Sequence, residues 1–211
     1  MPAVSTALPD LDGRKARSSR TQRAVARGML DCLEAGITQP TAKQVAERAG
    51  VSVRAVFRHF DDLENLFASV AELQYERVIE SLHPVPTTGP LTKRVAAFVR
   101  EHTRLNERIA PVRRAAAFYE RSSPAIATCR MTLADSVRVD IARTFAHELS
   151  ALAGTEAEIV LEALAAVVSW SQWEELRAHA GLPRTRARRV VELQVRALLG
   201  AGPHQRAPEI P

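Results

Sequence analysis

The sequence predicts an all-α protein, and three observations carry that prediction. Ala, Leu, Val, Glu and Arg recur through the 211 residues, and these are mostly helix-compatible. Apolar residues return at three- and four-residue spacing, whereas no run alternates β-branched with polar residues. Proline and glycine fall between the periodic stretches, where they stop one helix or open the next. The expected architecture is a small N-terminal head of three helices followed by a C-terminal body of about six.

Taken in order, residues 1–17 lack periodicity and are expected to form a flexible basic arm. A helix is expected from Ser18–Ser19 to Ala35, with Val25, Met29 and Leu33 on one face and Gly36 as its stop. Gly28 inside it weakens the helix but permits a close neighbour. After Pro40, Thr41 caps a second helix and Gln44 completes a capping-box pattern; that helix ends near Ala49–Gly50. Ser52 caps a short third helix ending near His59–Phe60. Asp61 then caps a fourth, with Glu64 in the reciprocal position and Leu63, Leu66, Phe67, Val70 and Ala71 inward. The proline-rich stretch 84–90 reads as a loop. Further helices are expected over 91–106, 111–121, 124–152, 155–180 and 183–199, and residues 200–211 form a loose tail.

Composition excludes several classes. No apolar stretch reaches the roughly 18–20 residues that span a bilayer, and Met1 to Arg20 contains no apolar signal-peptide core. Cys32 and Cys129 both fall in helical patterns, so reduced thiols in a cytoplasmic protein are expected rather than a disulfide framework. His102 and His147 lack partners at metal-ligand spacing, and neither metal nor cofactor is expected. There is no phosphate-cradling glycine loop, nucleophile elbow or HExxH pair. Glu174 and Glu175 occupy successive helix positions facing different ways, so no enzyme is expected.

Charge is unevenly placed. Residues 1–60 hold ten of the 29 Lys/Arg but five of the 24 Asp/Glu, and the rest of the chain balances. The whole +5 excess lies in these first 60 residues, which include the two short helices, and it attracts a polyanion. Between those helices Ala46 is small and Gly50 can take the left-handed backbone of a tight turn. Val45, Ala49, Val51, Val56 and Phe60 form the inner side. Val53, Arg54, Phe57 and Arg58 are left outward on the third helix. Arginines bond guanine edges or phosphates, and an aromatic touches thymine methyls or sugars. The helix start at Ser52 presents backbone amides to a phosphate. Thr41 to Phe60 is therefore a candidate helix-turn-helix for double-stranded DNA.

Two stretches, Thr41-Ala42-Lys43-Gln44-Val45-Ala46-Glu47-Arg48-Ala49-Gly50 and Val51-Ser52-Val53-Arg54-Ala55-Val56-Phe57-Arg58-His59-Phe60, make this specific. Together with the following Asp-Asp-Leu-Glu-Asn-Leu-Phe, they resemble the TetR family of bacterial regulators over about residues 18–70. The resemblance implies that Lys43, Val53, Arg54 and Ala55 face bases and that Thr41, Phe57 and His59 lie near the phosphates. Phe57 stands where the family usually has tyrosine, and Leu63 where a lysine commonly opens the fourth helix. Arg54 or Arg58 and the Arg14–Arg20 arm are expected to compensate in part. The arm itself has two readings, a minor-groove contact or a solvated tail.

On this basis residues 18–65 are expected to be the DNA-binding domain, and 66–199 a regulatory and dimerisation domain. A short recognition helix touches few base pairs, so two heads on a two-fold operator are expected. The apolar run from Ile159 to Trp173 and the last helix supply the candidate homodimer interface: Leu161, Leu164, Val168, Val190, Val191 and Leu198. A thick monomer core is the alternative reading of the same residues. The resemblance further implies a small-molecule effector bound within the body, for which Phe98, His102, Tyr119, Met131 and Trp170 are candidate wall residues. The same stripe also reads as core. The expected function is a ligand-responsive regulator, a repressor, released from a palindromic operator by its effector. An effector-independent architectural DNA-binding protein is the alternative.

Overall fold

The computed structural model describes residues 11–60, 63–80, 83–117 and 123–200. Helices are α1 (Leu11–Glu34), α2 (Ala42–Ala49), α3 (Val53–Phe60), α4 (Leu63–Ile79), α5 (Leu91–Ala117), α6 (Pro124–Thr144), α7 (Ala146–Ser150), α8 (Gly154–Val168), α9 (Trp170–Glu174) and α10 (Arg184–Gly200). A π-helical turn, Glu175–His179, follows α9. The all-α expectation holds: no strand occurs among the described residues. The chain divides into one unit of residues 1–75 and 114–126, and a second of 76–113 and 127–211.

In the first unit α1 packs on α2 and α3, and α2 on α3. Val25, Met29 and Leu33 are buried along one face of α1, meeting Val45, Ala46 and Val56 as the hydrophobic pattern requires. Leu66, Phe67 and Val70 bury the inner face of α4. Helix α1 begins at Leu11, ahead of the expected Ser18–Ser19, so Arg14, Lys15 and Arg17 belong to a helix rather than to an irregular arm. It closes in a Schellman arrangement. The Gly36 amide donates to the Leu33 carbonyl at 2.9 Å and the Ile37 amide to that of Cys32 at 3.0 Å, with Gly36 at φ +84.

Gly28 is the tightest point of the unit. A Cβ there would lie 2.7 Å from the Val45 carbonyl oxygen and 2.9 Å from both the Ala49 amide nitrogen and Cβ. Only a residue without a side chain lets α1 approach the backbone of α2 this closely. Close by in sequence, the Arg48 guanidinium donates to the buried Cys32 sulfur at 3.2 Å, which ties the end of α2 to α1.

The second unit has its own core. Val95, Phe98 and Val99 of α5, Ile141 of α6, Phe145, Leu164 and Val168 of α8, Trp173 of α9 and Ala187, Val191 and Val195 of α10 form one buried cluster. Helix boundaries here depart from expectation at three places. Helix α5 runs through Pro111, although proline removes one backbone bond and crowds the preceding turn. Burial of Ile109, Ala110 and Val112 around the proline holds the helix together. The helix expected over 124–152 breaks at Phe145, whose ring is fully buried. There Arg94 donates to the Thr144 carbonyl at 2.7 Å and pairs with Glu148. The helix expected over 155–180 breaks at Ser169, whose extended backbone (φ -61, ψ 156) starts α9.

Candidate DNA-reading face and effector cavity

The helix-turn-helix is built by local chemistry. The Thr41 hydroxyl accepts from the Gln44 amide at 3.3 Å, and the Gln44 side-chain oxygen accepts from the Thr41 amide at 2.8 Å. This is the reciprocal capping box that starts α2. Gly50 ends it at φ +64, with the Val51 amide returning to the Ala46 carbonyl at 3.2 Å. The Ser52 hydroxyl then accepts from the Ala55 amide at 3.2 Å and opens α3.

On α3, Val56 is fully buried and Ala55 half-buried, while Val53, Arg54, Phe57 and Arg58 are exposed. Phe57 is 55% exposed, unusual for a phenyl ring in the absence of a partner surface. Thr41, Lys43 and Ser52 are exposed as well, although the hydroxyls of Thr41 and Ser52 serve the caps. The side chains of His59 and Leu63 lie outside the described residues. Two short helices, a tight turn and an outward face carrying Arg54, Phe57 and Arg58 define the class: a helix-turn-helix DNA-binding protein.

Comparison with known proteins agrees. Residues 33–70 match the model of the bacterial regulatory proteins of the tetR family. A crystal structure of a transcriptional regulator from Rhodococcus sp. Rha1 shares the fold, with a TM-score of 0.65 at 22% sequence identity. That match covers 86% of this chain and 97% of the other. No curated protein sequence matches. The match covers the N-terminal head alone: residues 33–70 are similar to the DNA-binding head of tetR-family regulators, which supports a DNA-binding transcription regulator.

The second unit contains a cavity of about 260 Å³. Its walls come from α5 (His102, Asn106, Arg113), α6 (Arg130, Leu133, Val137) and the α8–α9 break (Ala165, Ser169, Trp170). Asn106 holds that break in place, its amide nitrogen donating to the Val168 carbonyl at 3.0 Å. Arg113 lies over the Trp170 ring, 5.0 Å from its centroid. Burial pushes the His102 imidazole down to about 4, against the opposing pull of Asp140 and Glu101, so the ring is neutral at neutral pH.

Of the expected wall residues, His102 and Trp170 do line this cavity. Phe98 does not: it is fully buried behind His102, with ring centroids 4.1 Å apart, and belongs to the core. Met131 is 57% exposed and also stands outside the lining. Tyr119 lies outside the described residues. The sequence analysis missed Asn106 and Arg113. Their only signal was helical spacing: His102, Asn106 and Arg113 stand four and seven residues apart and so share one face of α5.

The expected dimer residues divide likewise. Leu164, Val168 and Val191 are buried within the second unit's own core and present no surface to another chain. This burial agrees with the monomer-core reading of these three. Leu161 and Leu198 are half-buried at the rim of that core, and Val190 is half-buried on α10. Ile159 of α8 and Leu193 of α10 are exposed, at 60% and 69%, as are Met131 and Val139 of α6. No helix among the described residues is long and apolar enough to cross a membrane.

Proposed function

We propose that this regulator is a homodimeric, ligand-responsive repressor. It binds a palindromic operator through two copies of α3 and is released when a small molecule occupies the body. The observation that carries this reading is the pairing of an outward Arg54–Phe57–Arg58 face with a separate, half-open cavity walled in part by α5. Helix α5 runs without interruption from Leu91 to Ala117 and carries the cavity residues His102 and Arg113. A ligand that prefers one disposition of α5 shifts the population of DNA-competent molecules by its differential affinity for the two states.

Dimerisation is supported by Ile159 and Leu193, large apolar side chains left uncovered on α8 and α10. Two heads set about 34–36 Å apart, one helical turn of DNA, read two half-sites. Action on DNA supports assigning the protein to the bacterial cytoplasm. Lys43, Val53, Arg54 and Ala55 are assigned to bases, and Thr41, Ser52, Phe57, Arg58 and His59 to the backbone side. Selection of bound duplexes from a random pool tests the reading. Enrichment of a two-fold symmetric site is expected, and enrichment of no palindrome counts against it. Binding that stays indifferent to sequence would favour an architectural role.

A further inference from the structure

We infer that the segment Trp170–His179 is a ligand-sensitive joint of the second unit, and that Asn106 is the catch that holds it. This rests on the effector reading above and says how an occupied cavity acts on the helices around it.

The joint is written in the backbone. Helix α8 ends where Ser169 turns extended (φ -61, ψ 156), α9 lasts five residues, and the π-helical turn Glu175–His179 follows directly. In a continuous helix the Gln172 amide would bond the Val168 carbonyl. It bonds the Ser169 hydroxyl instead, at 3.2 Å. Single π-helical turns within helical runs are uncommon and frequently mark functional sites.

Two successive residues of α5 hold the segment. The Val168 carbonyl accepts from the Asn106 amide group at 3.0 Å, and the Ser169 carbonyl accepts from it at 3.4 Å. Beside it, the Glu107 carboxylate accepts from the Trp173 indole at 3.0 Å and from Arg177 at 2.7 Å. Asn106 is buried, and it lines the cavity together with Val168, Ser169, Trp170 and Ser171. A ligand that enters therefore competes for the Asn106 amide or parts it from Val168.

Two observations favour movement here over a rigid bend. The Trp170 indole N–H is buried without an acceptor, and such unmet donors are rare and costly, so a displaced α9 has a cost to relieve. Trp173 packs in one cluster with Leu164 and Val168 of α8 and with Val191 and Val195 of α10. A shift of α9 is thus passed to the two helices that carry the exposed Ile159 and Leu193.

The test fills the cavity or opens the catch without any ligand. In the full chain, Ala165→Phe adds bulk to the cavity wall, and Asn106→Leu removes the amide donor. Ala165→Leu and Asn106→Asp take their places where the larger change does not fold. Hydrogen exchange over residues 170–182 is expected to quicken about tenfold in each variant, while α10 keeps its protection. Emission from Trp170 and Trp173, the chain's two tryptophans, should shift with it. The double variant is expected to match the singles, because both open one catch. An additive change of about a hundredfold, a loss spread evenly over α5, α8 and α10, or no change over 170–182 overturns the inference. Operator affinity is read separately and is expected to fall several-fold in each single variant. A joint that opens by these rules with operator affinity unchanged contradicts the effector reading and leaves the catch standing.

Discussion

Substituting Gly28 sets two known effects against each other, and the structure decides between them. In a helix interior, alanine in place of glycine is favourable by about 1 kcal/mol. At Gly28 the added Cβ would stand 2.7 Å from the Val45 carbonyl oxygen and 2.9 Å from the Ala49 nitrogen and Cβ. Two of those three atoms are backbone, so relief requires α2 to move as a body. Overpacking of this kind costs about 1–3 kcal/mol, and a site walled mainly by backbone belongs near the top of that range. The net expectation for Gly28→Ala is a loss of about 1–2 kcal/mol. Both tryptophans, Trp170 and Trp173, lie in the second unit, so their fluorescence is blind to this change. Amide hydrogen exchange across α1 and α2 is the appropriate assay, with protection expected to fall by about one order of magnitude. Because α2 carries the turn into α3, operator affinity should fall as well. A variant that is stabilised, as propensity alone would have it, refutes the close α1–α2 approach.

Four further outcomes follow from the structure. Gly50→Ala meets no atom within 4 Å but is held at φ +64, so it should lose about 1–2 kcal/mol from backbone conformation alone. Arg94→Met leaves Glu148 and the Thr144 carbonyl without their donor at a nearly buried site. A loss of about 3–5 kcal/mol in denaturant unfolding is expected, partly recovered by adding Glu148→Gln. His102 is held neutral by burial down to about pH 4. The unfolded chain therefore binds the extra proton first, and stability should fall as pH drops from about 6.5 to 4, by about 3 kcal/mol in total. His102→Asn should flatten that part of the profile. Phe57→Tyr restores a phosphate-bonding hydroxyl on an exposed ring, and operator affinity should rise several-fold in a binding titration.

The head was legible because its signals are local. Thr41 with Gln44, Ser52, Gly36 and Gly50 each act within a few residues, and each does in the structure what its position predicts. The body was legible only as helices. Pro111 reads as a helix break, but burial of its neighbours overrides it. Ser169 reads as one more residue of a long helix, and only the distant Asn106 shows why the chain turns there. Phe98 and His102 lie four residues apart on one face, and periodicity has no means of telling core from cavity wall. Leu164, Val168 and Val191, expected at a dimer surface and found in the second unit's core, meet the same limit. An apolar helix face looks the same in sequence whether its own chain or a second copy covers it.

The central claim is that the exposed face of α3 reads bases, and Arg54 tests it most directly. Bound-site selection should be run in parallel on the natural chain and on Arg54→Ala, with affinity for random duplex measured across a range of salt. The account predicts that Arg54→Ala loses discrimination at one symmetric pair of positions, worth about 1–3 kcal/mol per contact. Binding to random duplex should change little beyond the removal of one cation. An unchanged selected sequence, bound with unchanged affinity, would contradict it.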